Sequence, residues 1–309
     1  MIGFVILFYL FWSMGFGNIW GLFLHMKVDY FIYAALFYFA TDVFGAYALK
    51  LALNNRIRLR EILPSHMCGM FYSGVTPGRV GYYYTAFSLS KKTSDRKSKN
   101  IGILTLMQGI SFFIKAVTCI LAIIYFSKYF VSPESTSYLY LASVVPFIFV
   151  LIIVTALYTD LFNRIFARIP LVNRILEYFV PMQHAVREIS SRRILDFGLI
   201  NIAGWFLVGA QWFCLAQALG LNLSYLDAFM LQPLLSAVMF IPLTPSGLGI
   251  TEGGSALLFP LILQSTQSPE AKAAAAAAGV TFILLVRLNS AVVDAFGLID
   301  MRIHAGNSK

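Results

Sequence analysis

The sequence predicts an all-α polytopic membrane protein whose two halves form an inverted repeat, and three observations predict it. Hydrophobic residues make up 59% of the 309 residues and charged residues only 12%, whereas a soluble domain carries about 25% charged residues. Several apolar stretches reach the roughly 20 residues that cross a bilayer as a helix. Two further apolar stretches are broken by the same Thr-Pro motif, at 76–77 and at 244–245.

Six uninterrupted apolar stretches are long enough to be full membrane spans. They cover roughly residues 2–22, 30–53, 101–126, 138–159, 194–219 and 272–299. The two broken stretches, 62–90 and 228–263, are longer but contain several prolines and glycines. No polar stretch is long enough to be a separate soluble domain, so residues 1–309 are treated as a single transmembrane domain.

Basic residues flank the first broken segment on both sides, at 56–60 and at 91–99. Loops rich in Lys and Arg face the cytoplasm, so the segment between them enters and leaves from that side as a re-entrant hairpin. A third basic region lies two crossings later, and the same rule places it and both termini in the cytoplasm. The alternative is eight ordinary spans, which would put one of the two basic flanks outside.

The order of the segments is the same in both halves of the chain. Each half reads span, span, hairpin, span, and its three crossings turn the second half upside down relative to the first. The sequence therefore predicts six full spans plus two re-entrant helical hairpins, with inverted repeats at about 1–126 and 138–299. This design is common among transporters.

The segment 161–193 between the halves mixes arginines with apolar residues. Arg164 and Arg168 stand four residues apart, and Ile165 and Phe166 lie between them. This pattern indicates short amphipathic helices on the cytoplasmic membrane surface. A plain solvated loop is the alternative.

The two Thr-Pro motifs are the strongest candidates for a binding site. Threonine is a good N-cap and proline is favoured at the first helical position, so each motif is predicted to begin the second helix of its hairpin. Such a helix start offers free N–H groups to an anion. Simple tight turns between packed helices are the alternative. The candidate substrate-binding residues are Thr76, Pro77, Gly78, Arg79, Gly81, Tyr82, Thr244, Pro245, Gly247, Gly249 and Glu252.

Charged residues inside the apolar segments point to the same region. A charge at the centre of a membrane helix costs about 2.5–3.5 kcal/mol on insertion scales, so it is usually paired or functional. Arg79 is the first candidate for holding a phosphate, because its planar fork matches phosphate oxygens. Glu252 and Arg287 are interpreted either as a structural ion pair or as functional groups. The predicted coupling or structural charges are Arg287, Asp294, Asp42 and Lys115.

Other classes of function receive little support from the residues. The net charge of +9 is explained by basic cytoplasmic loops, so we expect no nucleic-acid partner. The four histidines have no metal-binding spacing, and no nucleotide-binding loop or cofactor fingerprint is visible. We therefore expect no metal, no cofactor and no catalytic residues.

The two motifs also carry a resemblance to a known family. SGVTPGRVGYYY and IPLTPSGLGITEGG resemble the proline- and glycine-rich segments of the lysylphosphatidylglycerol synthase transmembrane region family, which includes the flippase half of the bacterial multiple peptide resistance factor. The matching residues are Arg79, Gly81, Pro245, Gly247, Gly249 and Glu252, while Tyr82 stands where the family pattern has a glutamate. The resemblance covers nearly the whole chain and implies movement of lipids with charged or glycosylated head groups between leaflets.

The expected function is therefore a lipid flippase of the cell membrane rather than an enzyme. Its expected partners are membrane lipids, and archaeal relatives suggest polyprenyl-phosphate-linked sugars as one cargo. The aminoacyl-transferase domain of the full synthases has no counterpart in this sequence, so the resemblance does not imply lysyl transfer. Two alternatives stay open: a membrane-embedded enzyme acting on a lipid phosphate, and a solute or ion transporter with the same repeat.

Overall fold

The structure is a computed structural model. It describes residues 2–14, 16–93, 97–129, 133–161, 164, 173–237, 244–265 and 267–299. Within these ranges the regular secondary structure is helical, and the one departure from it is an isolated antiparallel β-bridge. The predicted all-α class is therefore confirmed.

Twelve α-helices lie in the described ranges. They are α1 (Ile2–Met14), α2 (Phe16–Leu24), α3 (Val28–Ala52), α4 (Leu59–Val75), α5 (Tyr84–Thr93), α6 (Lys97–Phe126), α7 (Pro133–Tyr158), α8 (Asn173–Arg187), α9 (Ser191–Ala218), α10 (Tyr225–Ala237), α11 (Ile250–Ile262) and α12 (Pro269–Asp294). Short 3₁₀ helices precede α5 at Val80–Tyr83, follow α6 at Ser127–Tyr129 and extend α12 at Ala295–Leu298.

Four of the helices are long and apolar enough to cross a membrane: α3, α6, α9, and α12 with its 3₁₀ extension. They match four of the six predicted spans. The predicted span 2–22 lies in α1 and α2, and residue 15 between these helices is outside the described residues. The helix α7 has 26 residues and overlaps the predicted span 138–159.

Two hydrophobic cores lie at opposite ends of α3, α6 and α9. One contains the C-terminal part of α3 and the first turns of α6, with Leu49, Leu104 and Phe197 fully buried. The other contains the last turns of α6 and α9, with Phe126 and Leu215 fully buried. The three helices therefore pass from one core to the other.

The described part of the predicted amphipathic segment is α8, which packs on α6 and α7. Met182 and Val186 bury one face of α8 against Leu106, while Arg187 is exposed and pairs with Asp160 at 2.9 Å. Residues 162–163 and 165–172, with Arg168, lie outside the described residues.

The Thr-Pro motifs do not begin the second helix of each pair, so that prediction is wrong. Thr76 is instead the residue that ends α4, in an extended conformation with φ −109° and ψ 143°. Proline pushes the residue before it into this conformation. In both motifs the two residues after the proline have positive φ, which is incompatible with a right-handed helix. The next helices start only at Val80 and at Ile250.

Candidate functional site

The two Thr-Pro motifs meet in space. Pro77 and Pro245 form an antiparallel β-bridge. The two breaks in the apolar segments therefore lie side by side within the protein, where irregular backbone at membrane depth is tolerated.

The two motifs also fold into the same turn. Gly78 and Arg79 have φ of 59° and 58°, and Ser246 and Gly247 have φ of 48° and 73°. In each turn the N–H of the fourth residue donates to the proline carbonyl, at 3.4 Å from Val80 and at 2.9 Å in the second motif. Positive φ at both central residues defines the type I′ turn. A left-handed conformation is costly for a side chain as large as that of Arg79.

A cavity of about 650 Å³ lies next to these turns. Its walls come from α3, α4, α6, α9, α10 and α12, together with both Thr-Pro turns. It occupies the middle of α3, α6 and α9, between the two hydrophobic cores. In transporters built from inverted repeats, substrate sites lie at this depth.

Three cationic side chains line this cavity: Arg79, Lys115 and Arg287. The Nε atom of Arg79 donates to the hydroxyl of the buried Ser73 at 2.8 Å, and among the described residues no carboxylate pairs with this guanidinium. Lys115 places its ammonium over the ring of Trp205, at 5.8 Å from the ring centre. The cavity is therefore suited to an anion.

Arg287 is anchored by an ion pair with Glu252. Its Nε atom lies 2.6 Å from the Glu252 carboxylate, and its NH2 group donates to the Ser246 carbonyl at 3.0 Å and to the Thr251 hydroxyl at 2.7 Å. Glu252 is fully buried and also accepts from the N–H of Gly249 at 2.7 Å. The carboxylate thus caps the start of α11 and holds it to α12.

Acidic and aromatic side chains form a second group on the cavity wall. Asp42 of α3 and Asp294 of α12 lie against each other, and the Tyr38 hydroxyl donates to Asp294 at 3.1 Å. The Nε2 atom of His66 lies 3.8 Å from Asp42, and its Nδ1 atom shares a hydrogen bond of 3.3 Å with the Tyr82 hydroxyl. Two carboxyl groups thus share a nearly dry site.

The predicted site residues divide into two sets. The cavity is lined by Arg79, Tyr82, Pro245, Arg287, Asp294, Asp42 and Lys115. The other predicted residues support the turns behind it and are Thr76, Pro77, Gly78, Gly81, Thr244, Gly247, Gly249 and Glu252. In this second set, the Thr76 hydroxyl accepts from the N–H of Gly81 at 2.8 Å and donates to the Tyr72 carbonyl at 2.8 Å.

Sequence reasoning missed the uncharged polar part of the wall. The missed residues are Tyr38, Thr41, His66, Gln108, Ser111, Asn201, Gln211, Gln232, Ser236, Ser246 and Ser290. Helical spacing could have identified several of them. Gln108, Ser111 and Lys115 follow the i, i+3, i+7 pattern of one helix face, and so do Arg287, Ser290 and Asp294. Within the part of the chain that the structure describes, no three His, Cys, Asp or Glu side chains form a metal-ligand set.

The fold and this site define a class: an integral, polytopic α-helical membrane protein with a cation-lined cavity midway along its spans. The family model described as the lysylphosphatidylglycerol synthase TM region matches residues 1–288. The chain belongs to this family, whose name associates it with membrane lipids. The chain is also similar to the UPF0104 membrane protein MJ1078 of Methanocaldococcus jannaschii, with 24% identity over 197 residues, which are 63% of this chain and 81% of that protein.

Proposed function

We propose that this protein is a lipid flippase that moves an anionic lipid head group between membrane leaflets, and that it is not an enzyme. The head group binds in the cavity while the acyl or polyprenyl tails stay in the bilayer. The family resemblance makes a polyprenyl-phosphate-linked sugar lipid one class of cargo. The observation that carries the proposal is the convergence of Arg79, Lys115 and Arg287 on one cavity inside the apolar part of the fold.

Arg79 is the central phosphate ligand in this proposal. Its left-handed backbone is the kind of strained conformation that costs about 1–3 kcal/mol and persists at functional sites. Its Nε atom is held by Ser73, which directs the rest of the guanidinium fork to the cavity. That fork matches two phosphate oxygens. Glycine would adopt this backbone conformation without strain, so the presence of arginine is explained if its side chain has a function.

The shape of the cavity favours a lipid over a free solute. Phe44 of α3 and Val75 of α4 line the cavity, and they are 37% and 58% exposed. Both are hydrophobic and partly exposed, so part of the cavity lining reaches the apolar outer surface of α3 and α4. A lipid can place its head group inside and leave its tails against these side chains, whereas a solute requires a path closed to the bilayer.

The packing of the helices supports the inverted repeat of six full spans and two re-entrant hairpins. The first helix of one hairpin, α4, packs on α12, the last span of the other half. Correspondingly, α10 packs on α6, and α3 packs on α9, its counterpart in the second half. This reciprocal arrangement is what a two-fold axis in the membrane plane would generate. Both termini would then be cytoplasmic.

A membrane-embedded enzyme acting on a lipid phosphate is the second candidate. The observation that favours it is the pair of Asp42 and His66, 3.8 Å apart on the cavity wall, which resembles a general base and its partner. Such an enzyme would change the lipid, whereas a flippase returns it intact.

Reconstitution into liposomes tests both candidates. Vesicles of phosphatidylcholine carry trace fluorescent lipids that share their tails and differ in head group, and a membrane-impermeant quencher reports which leaflet holds the label. We expect protein-dependent movement of the anionic lipids and little movement of the zwitterionic one. The lipids are then extracted and their masses are measured by mass spectrometry. A cleaved or altered head group would support the enzyme rather than the flippase. Equal movement of every head group, or none, would contradict the proposal.

A further inference from the structure

We propose that Asp42 and Asp294 form one shared proton-binding site that couples each anionic head group to a proton. This inference rests on the proposed transport function and adds to it the identity and place of the coupling ion. It assigns to the two aspartates a role different from that of Glu252, the third buried carboxylate of the region.

The position of the two carboxyl groups is the first argument. Asp42 is 1% exposed and Asp294 is 4% exposed, yet both line the cavity that Arg79 reaches. They come from different halves of the chain, on α3 and α12, and they lie against each other. A site shared between the halves changes whenever the halves move relative to each other, which is what coupling to transport requires.

Unsatisfied oxygens are the second argument. Oδ2 of Asp42 and Oδ1 of Asp294 are buried and have no hydrogen-bond partner among the described residues. A buried acceptor without a donor costs about 1–3 kcal/mol, and more when it is charged. A proton bound between the two carboxyl groups removes one charge and supplies the missing donor. Two carboxylates in contact share a proton for this reason in other proteins.

The surrounding charged and titratable groups do not neutralise the pair. From α3, Tyr38 donates one hydrogen bond to Asp294. From α4, His66 lies 3.8 Å from Asp42 and is itself bonded to Tyr82. The other basic side chains of the wall are Arg79, Lys115 and Arg287, and in the described part of the chain no ion pair joins Arg79 or Arg287 to either aspartate.

Glu252 shows what a fully hydrogen-bonded buried carboxylate looks like in this protein. One of its oxygens pairs with Arg287 at 2.6 Å, and the other accepts from Gly249 and Thr251 at 2.7 and 2.9 Å. Both oxygens are thus satisfied by donors, and the carboxylate does not line the cavity. Glu252 therefore differs from Asp42 and Asp294, each of which has one buried oxygen without a donor among the described residues.

Linkage between the two sites follows from electrostatics. A phosphate held by Arg79 brings negative charge into the cavity that the aspartates share, and this favours proton uptake by the pair. By reciprocity, a proton on the pair strengthens the binding of the anion by the same factor. A one-unit pH difference across the membrane then drives an about tenfold concentration ratio of head groups if one proton accompanies each lipid.

Proton uptake on binding is the direct test. Dihexanoyl phosphatidylglycerol is added to purified protein in a weakly buffered detergent solution that contains a pH-indicator dye. Dihexanoyl phosphatidylcholine, whose head group has no net charge, is the control. We expect uptake of up to one proton per bound anionic lipid. Asp42→Asn and Asp294→Asn should each abolish the uptake while binding persists. Asp160→Asn is the matched control, because Asp160 is exposed and lies outside the cavity.

The outcomes separate the two proposals. Binding of the anionic lipid without proton uptake by the wild type would overturn the coupling site and leave the flippase intact. Uptake that persists in both asparagine variants would also overturn it. Binding that needs sodium, shown by replacing sodium with choline, would identify a different coupling ion and refute the inference. Failure to bind or move any anionic lipid would refute the flippase and the coupling site together.

Discussion

The ion pair between Glu252 and Arg287 yields the sharpest stability prediction. At 2.6 Å its gross attraction is about 6 kcal/mol for an effective dielectric constant of about 20. Desolvation of the two groups offsets part of this attraction, and breaking one side of such a buried pair costs about 3–5 kcal/mol. Arg287→Met leaves a fully buried carboxylate with only the Gly249 and Thr251 donors, so we expect a loss in that range.

Glu252→Gln should cost less. Glutamine has nearly the same size as glutamate and keeps one acceptor oxygen. Its NH2 group, however, is a donor and replaces a carboxylate oxygen that accepted hydrogen bonds from neighbouring donors. The Arg287 guanidinium would keep its bonds to the Ser246 carbonyl and the Thr251 hydroxyl, and it is 20% exposed to the cavity. The double variant Glu252→Gln/Arg287→Met buries no unpaired charge, so it should be more stable than Arg287→Met alone.

Thermal unfolding of the wild type, both single variants and the double variant in one detergent measures the coupling. Contacting residues in such a cycle couple by 0.5–3 kcal/mol, roughly, while independent residues add. Lipid movement is measured in parallel, and the folded double variant should remain inactive because the Arg287 charge is gone from the cavity. Additive losses would refute the structural pairing, and recovery of lipid movement in the double variant would show that Arg287 serves only as scaffolding.

Three further predictions use the motifs. Glycine tolerates the positive φ of residue 79, so Arg79→Gly should be at least as stable as the wild type in thermal unfolding but should move the anionic lipid more slowly. Arg79→Lys should retain only part of that movement. Unchanged lipid movement in Arg79→Gly would show that Arg79 is not part of the site. Gly81→Ala would place a methyl group against the backbone at the end of α4 and should cost about 1–3 kcal/mol by overpacking, whereas Gly74→Ala, with open space around it, should be neutral or slightly stabilising. Cysteines at Asn55 and Lys91, in a background without native cysteines, should both react with an impermeant reagent from the cytoplasmic side, and opposite-side labelling would contradict the first hairpin.

The membrane class and the spans could be predicted from the sequence because they depend on local composition. A stretch of about 20 apolar residues reports the length of bilayer that it crosses, and α3, α6, α9 and α12 lie where such stretches are.

Part of the site was also visible locally. A charge in an apolar segment is costly wherever it folds, so Arg79, Lys115, Asp42, Asp294 and Arg287 could be selected without a structure, and all five line the cavity. The uncharged wall residues were missed because a glutamine or serine in a span costs less. Its spacing from a charge such as Lys115 can place it on the same helix face, but only the neighbouring helices decide whether that face lines a cavity.

Two Thr-Pro breaks and several charges in a hydrophobic chain can be recognised from the order of the residues, but the contacts that each of them makes depend on the tertiary structure. Local rules placed Thr76 at a helix start, but the left-handed turn that follows excludes a helix there, and its geometry is fixed by the pairing of Pro77 with Pro245. Likewise, Tyr38 meets Asp294 across 256 residues, a separation over which no local pattern carries information. The difference between a satisfied carboxylate and an unsatisfied one depends on which donors the fold brings within reach, and that is a property of the packed helices rather than of the segment that contains the residue.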